Sequence, residues 1–374
     1  MMSKAILILT FIIFSFTLDS AELLIEWARP LKKNLVGVNK RELGGISSFG
    51  NNILVTTRCG KMHLFSHRGE LKKTAVFNGD FYFPSIFTDD NELIVPVSNS
   101  LFMLDKDFNE VWSISGNAPI ASPPLVHEDH VFVQFHDNSI YLLDRKTGAV
   151  KTAYTYYAAG EEISFIRLAQ PFYVEDKIVF GFSNGMVFYF HHRKNPSTGT
   201  EELIPWFQIR TSGPQRSFDK KNFYDLLSIV PVKDTIVFSG GEYGGIILDG
   251  KKNRLENMRN LQLVKEEDNS ITGYGEGGIF LFDETGNFLS RPFESTNYVT
   301  NNINADGYRV VTTTGAGSMI AFNEGFIYLL SNDYSEILYS IMVPNGISAK
   351  GIYHQGSIYL LSDMGVLYKL NISK

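Results

Sequence analysis

The sequence predicts an all-β fold, an eight-bladed β-propeller of four-stranded antiparallel blades that is closed by pairing of its N- and C-terminal strands. Three observations predict this fold: a composition rich in aromatic residues and Gly, a repeated hairpin, and an unpaired strand at one end of the chain. The 374 residues include 29 Phe, 18 Tyr and 32 Gly. Aromatic side chains fit pleated sheets, and Gly supplies the positive φ of tight hairpins.

The clearest copy of the repeated hairpin is HDNSIYLLDRKTGAV, residues 136–150. Eight segments share its layout of an apolar strand, a tight turn, a second apolar strand, a polar turn and a third strand. They begin at Ile53, Leu93, Val131, Ile178, Ile236, Ile271, Met319 and Ile358. A fourth strand precedes most copies, and four antiparallel strands repeated about every forty residues make one propeller blade.

The two ends of the chain favour a closed ring over an open array. The last copy stops after residues 366–370 without an outermost strand, whereas LLIEWARPL from Leu23 precedes the first copy with no partner of its own. Trp27 in that segment occupies the place that Trp112 takes in another repeat. We therefore expect the N-terminal strand to complete the last blade, and residues 22–374 to form a single propeller.

Residues 1–21 have the layout of a secretory signal peptide: Lys4, then mostly apolar residues from Ala5 to Phe16, then small and polar ones. That apolar stretch is short for a membrane span and typical of an export signal. Leu18 to Ala21 has the shape of a bacterial lipoprotein box, but Ala21 stands where the lipidated Cys would be. Because Cys59 is the only cysteine, an intramolecular disulfide is excluded.

Charge and motifs argue against nucleic acid and against a bound cofactor. The net charge is −6, and the scattered Lys and Arg form no basic stripe that could follow phosphates. GYGEGG, residues 273–278, satisfies the dinucleotide-binding string, but that fingerprint requires a following helix. Here the next residues are the second strand of a repeat, so we expect these glycines in a hairpin and no cofactor.

We also interpret the histidines and aspartates of the repeats as structural residues of turns rather than as functional ones. We expect no metal site, and interpret His127, His130, His191 and His192 as solvated turn residues, because no recognisable spacing supplies further ligands. Asp side chains recur after the second strand of the repeats, where they are expected to cap turns. These are Asp105, Asp144, Asp249 and Asp283.

One connection, His191 to Asp225, is longer than the others and carries Trp206 and Phe207. Loops on rigid scaffolds tend to carry binding function, and aromatic residues are typical interface anchors. The alternative is a tolerated surface insertion that contains an ordinary outer strand, LIPWFQI. The sequence leaves both interpretations open.

The segment IYLLDRKTGAVKTAY resembles the quinoprotein-type propeller repeat, and with its export signal the whole chain most resembles the BamB family. The resemblance implies a periplasmic, non-catalytic scaffold at the inner face of the outer membrane. It also implies a monomer within a complex, whose partner is the β-barrel insertion subunit of the outer-membrane assembly machinery. The missing lipobox cysteine is a departure from the family pattern, and it leaves open how the protein would be tethered to the membrane.

The resemblance also implies partner-binding residues in two segments between blades. In ISFIRLAQP from Ile163, Arg167 and Ile166 match the family's Arg and the apolar residue before it, and Phe165 lies beside them. In FYDLLSIVP, Asp225 matches one of two acidic residues, displaced by about one position, and the second acid is missing.

Two other functions remain open at this point. One is a quinone-dependent dehydrogenase. Such enzymes have a vicinal disulfide and an axial Trp stack, and both are missing from this chain, which has one Cys and three Trp. The other is an envelope propeller that binds a different protein or a glycan.

Overall fold

The computed structural model describes residues 22–31, 44–88, 90, 92–156, 168–174, 176–182, 184–210, 226–232, 235–240, 244–248, 251–255, 262–265, 270–275, 278–283, 288–294, 309–314, 317–321, 325–344, 346–347 and 351–373. Among these residues the strands form eight four-stranded antiparallel sheets. The described part contains no helix long and apolar enough to span a bilayer. The structure is an all-β propeller with four-stranded antiparallel blades, which confirms that part of the predicted fold class.

The sheets follow one another along the chain, and the first strand is β1 (Glu22–Pro30). Sheet 1 contains β2 (Ile46–Phe49), β3 (Asn52–Thr57), β4 (Lys61–Ser66) and β5 (Leu71–Val76), and sheet 2 contains β6 (Ile86–Phe87), β7 (Leu93–Val97), β8 (Ser100–Leu104) and β9 (Glu110–Ser115). Sheet 3 contains β10 (Leu125–His127), β11 (His130–Gln134), β12 (Ser139–Asp144) and β13 (Val150–Thr155), and sheet 4 contains β14 (Phe172–Val174), β15 (Lys177–Gly181), β16 (Met186–Lys194) and β17 (Glu201–Arg210).

The second half of the chain repeats the arrangement. Sheet 5 contains β18 (Leu226–Val232), β19 (Thr235–Gly240), β20 (Gly244–Leu248) and β21 (Lys251–Leu255), and sheet 6 contains β22 (Gln262–Lys265), β23 (Ile271–Gly275), β24 (Gly278–Phe282) and β25 (Phe288–Glu294). Sheet 7 contains β26 (Arg309–Thr314), β27 (Gly317–Ala321), β28 (Phe326–Leu330) and β29 (Ile337–Met342). Sheet 8 contains β30 (Ile352–His354), β31 (Ser357–Leu361) and β32 (Val366–Ser373), and its fourth strand is β1, which pairs antiparallel with β32.

The core lies between successive sheets, because the middle strands are buried on both faces. Every residue of β7 is buried, whereas nearly every residue of the outer strand β5 is exposed. Shared apolar clusters join sheets 1–2, 2–3, 3–4, 4–5, 5–6, 7–8 and 8–1. Sheets 6 and 7 contact each other through β23 and β26. Burial on both faces explains why these strands read as continuous apolar runs rather than alternating ones.

Two tryptophans pack in the same way between neighbouring sheets. Trp112 of β9 lies against Gly148, in the turn between β12 and β13 of the next sheet, and its Nε1 donates a hydrogen bond to the Arg145 carbonyl at 2.7 Å. Trp27 of β1 lies against Gly69, in the corresponding turn between β4 and β5 of sheet 1. The outer strand of sheet 8 therefore contacts sheet 1 as the outer strand of sheet 2 contacts sheet 3.

Gly148→Ala is expected to destabilise the protein for two separable reasons. Gly148 has a φ of +70°, and a Cβ there would lie 2.6 Å from the Trp112 ring. A left-handed conformation costs a non-glycine residue about 1–2 kcal/mol, and overpacking adds about 1–3 kcal/mol. Denaturant unfolding should show the sum.

Gly50→Ala is the matched control for this substitution. Gly50 also has a positive φ, +55°, but nothing lies within 4 Å of its Cβ position. The Gly50→Ala variant should therefore lose only the conformational contribution to the free energy of unfolding, about 1–2 kcal/mol. Equal losses in the two variants would contradict the close packing of Trp112 on Gly148.

Two of the aspartates that the sequence singled out, Asp105 and Asp144, cap turns. Asp105 Oδ1 accepts hydrogen bonds from the amides of Asp107 and Asn109, and Asp144 Oδ1 accepts from those of Lys146 and Thr147. The capping prediction is confirmed for these two residues. Asp249 lies outside the described residues, and the capping role of Asp283 stays a prediction. Gly273 and Gly275 of GYGEGG lie on β23 and Gly278 lies on β24, with Gly275 paired to Gly278, so these three glycines belong to a hairpin as predicted.

Candidate functional site

The predicted partner-binding residues Phe165, Ile166, Arg167 and Asp225 lie outside the described residues, and their role stays a prediction. The described chain resumes directly after each of the two segments. Leu168 is buried, and its amide donates a hydrogen bond to the Ala121 carbonyl at 2.8 Å. Phe172 then begins β14, and Leu226 begins β18. The two predicted segments therefore precede the first strands of neighbouring sheets 4 and 5.

The first part of the long connection forms an extended hairpin. β16 and β17 pair from Met186↔Arg210 to Lys194↔Glu201. The hairpin therefore extends beyond His191, the residue of β16 that pairs with Lys177 at the start of β15. The turn is capped by Asn195, whose Oδ1 accepts a hydrogen bond from the Ser197 amide at 2.9 Å. The predicted outer strand LIPWFQI is thus part of β17, and residues 211–225 lie outside the described residues.

Trp206 is the exposed aromatic side chain of this hairpin, with 58% of its surface accessible. The Lys177 Nζ lies 4.9 Å from the centre of its ring, within the range of a cation–π contact. The His191 ring lies 5.6 Å away, and its Nδ1 lies 3.3 Å from an Asp176 carboxylate oxygen. An exposed aromatic ring held by its neighbours is a side chain of the kind that anchors protein interfaces.

A second cluster, which the sequence interpretation missed, lies between sheets 3 and 4. His130 begins β11, while His192 and Glu201 face each other near the end of the β16–β17 hairpin. The ligand atoms of these three residues all lie within 4.8 Å of one another, in the only such group of His, Cys, Asp or Glu found in the described part of the chain. We call His130, His192 and Glu201 the histidine–glutamate cluster.

His127, His130, His191 and His192 all lie on strands, so the prediction that they are turn residues is wrong. Their predicted solvation is also wrong for His130 and His192, whose side chains are only 18% and 14% exposed. The error arose because His130 belongs to sheet 3 and His192 to sheet 4, so that no spacing in the sequence relates them. Only the contact between His192 and Glu201 could have been inferred from hairpin pairing. Because His192 pairs with Leu203, Glu201, two residues from Leu203, lies on the same face of the sheet as His192.

Hydrogen bonds hold His192 in place, and His130 lies farther from the carboxylate. His192 Nε2 lies 2.9 Å from Glu201 Oε2, and His130 Nε2 lies 3.9 Å from Glu201 Oε1. The other ring nitrogen of His192, Nδ1, lies 3.3 Å from the Tyr173 hydroxyl. The Tyr173 ring is in turn stacked on His127, with ring centres 3.8 Å apart.

Burial determines the charge states around the cluster. Burial, and then the positive charge that His192 can carry, lower the pKa of His130 despite the opposing effect of Glu201. Burial also raises the pKa of the Tyr173 hydroxyl, which therefore stays neutral. A neutral imidazole, a second imidazole and a carboxylate are together the donor set that transition metals such as zinc prefer.

Comparisons with known proteins agree on the fold. The sequence profile of the family described as "Outer membrane protein assembly factor BamB" matches residues 83–201, which cover sheets 2 and 3 and most of sheet 4. The crystal structure of BamB from Moraxella catarrhalis is similar with a TM-score of 0.69 and 15% identity, over 93% of this chain and 99% of that one.

A computationally designed protein, Ika8, is similar with a TM-score of 0.65 and 13% identity, over 90% of this chain and 98% of its own. No curated protein matches the sequence significantly. Since a designed protein shares the architecture, the fold by itself specifies no function. The profile match over residues 83–201 and the likeness to the BamB structure together support a BamB-like β-propeller fold of the PQQ-repeat type for this chain.

Proposed function

We propose that this protein is a non-catalytic periplasmic scaffold that assists the assembly and insertion of β-barrel proteins into the outer membrane, as the resemblance to BamB implies. The observation that carries the proposal is the structural likeness to BamB along 93% of the chain. Such a scaffold acts through protein–protein contacts and requires no catalytic residue. Its partner would be the β-barrel insertion subunit, and the protein would act as a monomer within that complex.

The proposal includes a closed ring of eight blades. The eight described sheets, the pairing of β1 with β32 and the apolar cluster between sheets 8 and 1 support it. A closed ring leaves no pair of sheet faces without a neighbour, and this stiffness suits a platform on which another protein docks.

The docking surface in this proposal is formed by the connections that lead into sheets 4 and 5. Along the chain, each connection lies between the outer strand of one sheet and the first strand of the next, β13 and β14 for the first and β17 and β18 for the second. Arg167 would pair with a carboxylate of the partner, Phe165 and Ile166 would supply apolar contact, and Asp225 would add the opposite charge. An Arg with adjacent apolar residues is a common composition for the centre of an interface.

The proposed location follows from the same comparison and from the N-terminal sequence. Residues 1–21 would serve as the export signal. Because Ala21 replaces the lipidated cysteine, attachment to the inner face of the outer membrane would come through the insertion subunit rather than through an acyl chain.

Arg167→Glu is expected to abolish copurification with the insertion subunit while leaving the fold intact. Reversing a charge at an interface centre removes one favourable contact and adds a repulsive one, with an expected loss of about 2–5 kcal/mol of binding free energy. Copurification from solubilised envelopes, with circular dichroism of the purified variant, measures both.

Lys72→Glu provides the matched charge reversal on a surface that the proposal does not use. Lys72 is exposed on the outer strand β5. The Lys72→Glu variant should copurify with the insertion subunit as the unaltered protein does. Unchanged copurification of the Arg167→Glu variant would remove the assignment of Arg167.

A further inference from the structure

We propose that the histidine–glutamate cluster is a binding site for a divalent transition metal ion of the zinc class, which joins sheets 3 and 4. His130 Nε2, His192 Nε2 and one Glu201 carboxylate oxygen are the three protein ligands. This inference concerns the isolated protein and is independent of its partner.

The spacing of the donor atoms fits such an ion after small side-chain rotations. Zn–N and Zn–O bonds of about 2.0–2.1 Å separate two ligand atoms of a tetrahedral site by about 3.3 Å. His192 Nε2 lies 2.9 Å from Glu201 Oε2 and His130 Nε2 lies 3.9 Å from Glu201 Oε1, and one ligand atom from each residue lies within 4.8 Å of the other two. Two His and one Glu also form a known zinc ligand set, which leaves the fourth position to water.

The surroundings of His192 are those of a metal ligand. A ligating histidine usually uses its second ring nitrogen in a hydrogen bond that orients the ring. His192 Nδ1 lies 3.3 Å from the Tyr173 hydroxyl, and Phe132 contacts the imidazole edge-on with ring centres 5.7 Å apart. The ring is therefore held with Nε2 directed at Glu201.

Metal binding to the cluster requires that His192 Nε2 give up its proton. Without a cation, the Nε2–H of His192 donates to Glu201, and the Tyr173 hydroxyl can donate to Nδ1. When Nε2 binds the metal, its proton is lost to solvent or moves to Nδ1, where it donates to the Tyr173 oxygen. Glu201 then compensates one unit of the metal charge. The low exposure of all three side chains, 14–19%, limits competition from water.

The site would connect two blades through side chains on their middle and outer strands. His130 extends from sheet 3, whereas His192 and Glu201 belong to the part of the β16–β17 hairpin that extends past β15. A metal ion there would fix the turn end of the β16–β17 hairpin, which carries Trp206.

The test is zinc titration of the purified, chelator-stripped protein in competition with a chromophoric chelator. We expect one zinc ion per chain. His130→Gln, His192→Gln and Glu201→Gln should each weaken binding by more than about 100-fold, and Tyr173→Phe by about 10–100-fold, the usual effect of losing an outer hydrogen bond. X-ray absorption should show two imidazoles and further N/O ligands at about 2.0–2.1 Å.

His191→Gln is the matched control, since His191 is the neighbour of His192 on β16 and interacts with Asp176 instead. It should bind zinc as tightly as the unaltered protein. The proposal is overturned if no stoichiometric zinc binds, if binding survives His192→Gln, or if His191→Gln weakens binding as much. Should the ligand variants fail to fold, the absorption spectrum of the unaltered protein decides, because a shell without two imidazoles excludes the site.

Discussion

Leu23→Asp is expected to lower the free energy of unfolding by at least about 4 kcal/mol, the largest effect of any substitution considered for this protein. Leu23 is completely buried on β1, in a cluster with Ile327 and Leu329 of sheet 7 and Leu360 and Leu370 of sheet 8. A carboxylate there would lose its hydration without gaining a partner in that apolar cluster, and the attachment of β1 to β32 would be lost with it. Denaturant unfolding followed by circular dichroism measures the change.

Leu24→Asp is the matched control in the next residue of the same strand. The Leu24 side chain is 47% exposed, and substitutions at such positions usually change stability by less than about 0.5 kcal/mol. A similar loss at both positions would show that the strand itself, and not burial of Leu23 between sheets 7 and 8, is sensitive to the new charge. A negligible loss at Leu23 would contradict the placement of β1.

Trp112→Ala is expected to cost about 3–5 kcal/mol, the usual range for removing a large aromatic side chain from a core. Trp112 is 8% exposed and belongs to the cluster between sheets 2 and 3. Its removal leaves a cavity over Gly148 and deprives the Arg145 carbonyl of the 2.7 Å hydrogen bond from the indole.

Trp206→Ala provides the control, because it deletes the same side chain from a position that is 58% exposed. It should change stability by less than about 1 kcal/mol. If the two tryptophan variants unfold at the same denaturant concentration, Trp112 does not hold sheets 2 and 3 together.

The all-β propeller could be predicted because its determinants are local and repeated. Each hairpin contains the residues that favour its own turn, as Asp144 and Gly148 do in the clearest repeat. The apolar runs of the middle strands indicate burial on both faces. Trp27 and Trp112 were predicted to occupy the same place in their repeats, and in the structure each packs against a glycine in a turn of the next sheet.

The histidine–glutamate cluster could not be predicted in the same way. Its members come from two sheets, and they meet because of how those sheets pack and how far the β16–β17 hairpin extends. His130 and His192 lie on strands that read as ordinary apolar repeats, and Glu201 lies just after a turn. Register within a hairpin follows from the sequence pattern, but side-chain contacts between blades depend on packing that no single repeat encodes.

The proposed scaffold function is tested most directly by a photocrosslinking amino acid at position 167, activated in envelopes and followed by mass-spectrometric identification of the trapped protein. The proposal predicts an adduct with the β-barrel insertion subunit from position 167 and none from position 72 on β5. An adduct with a different envelope protein, or equal labelling from both positions, would contradict docking through the connection that precedes sheet 4.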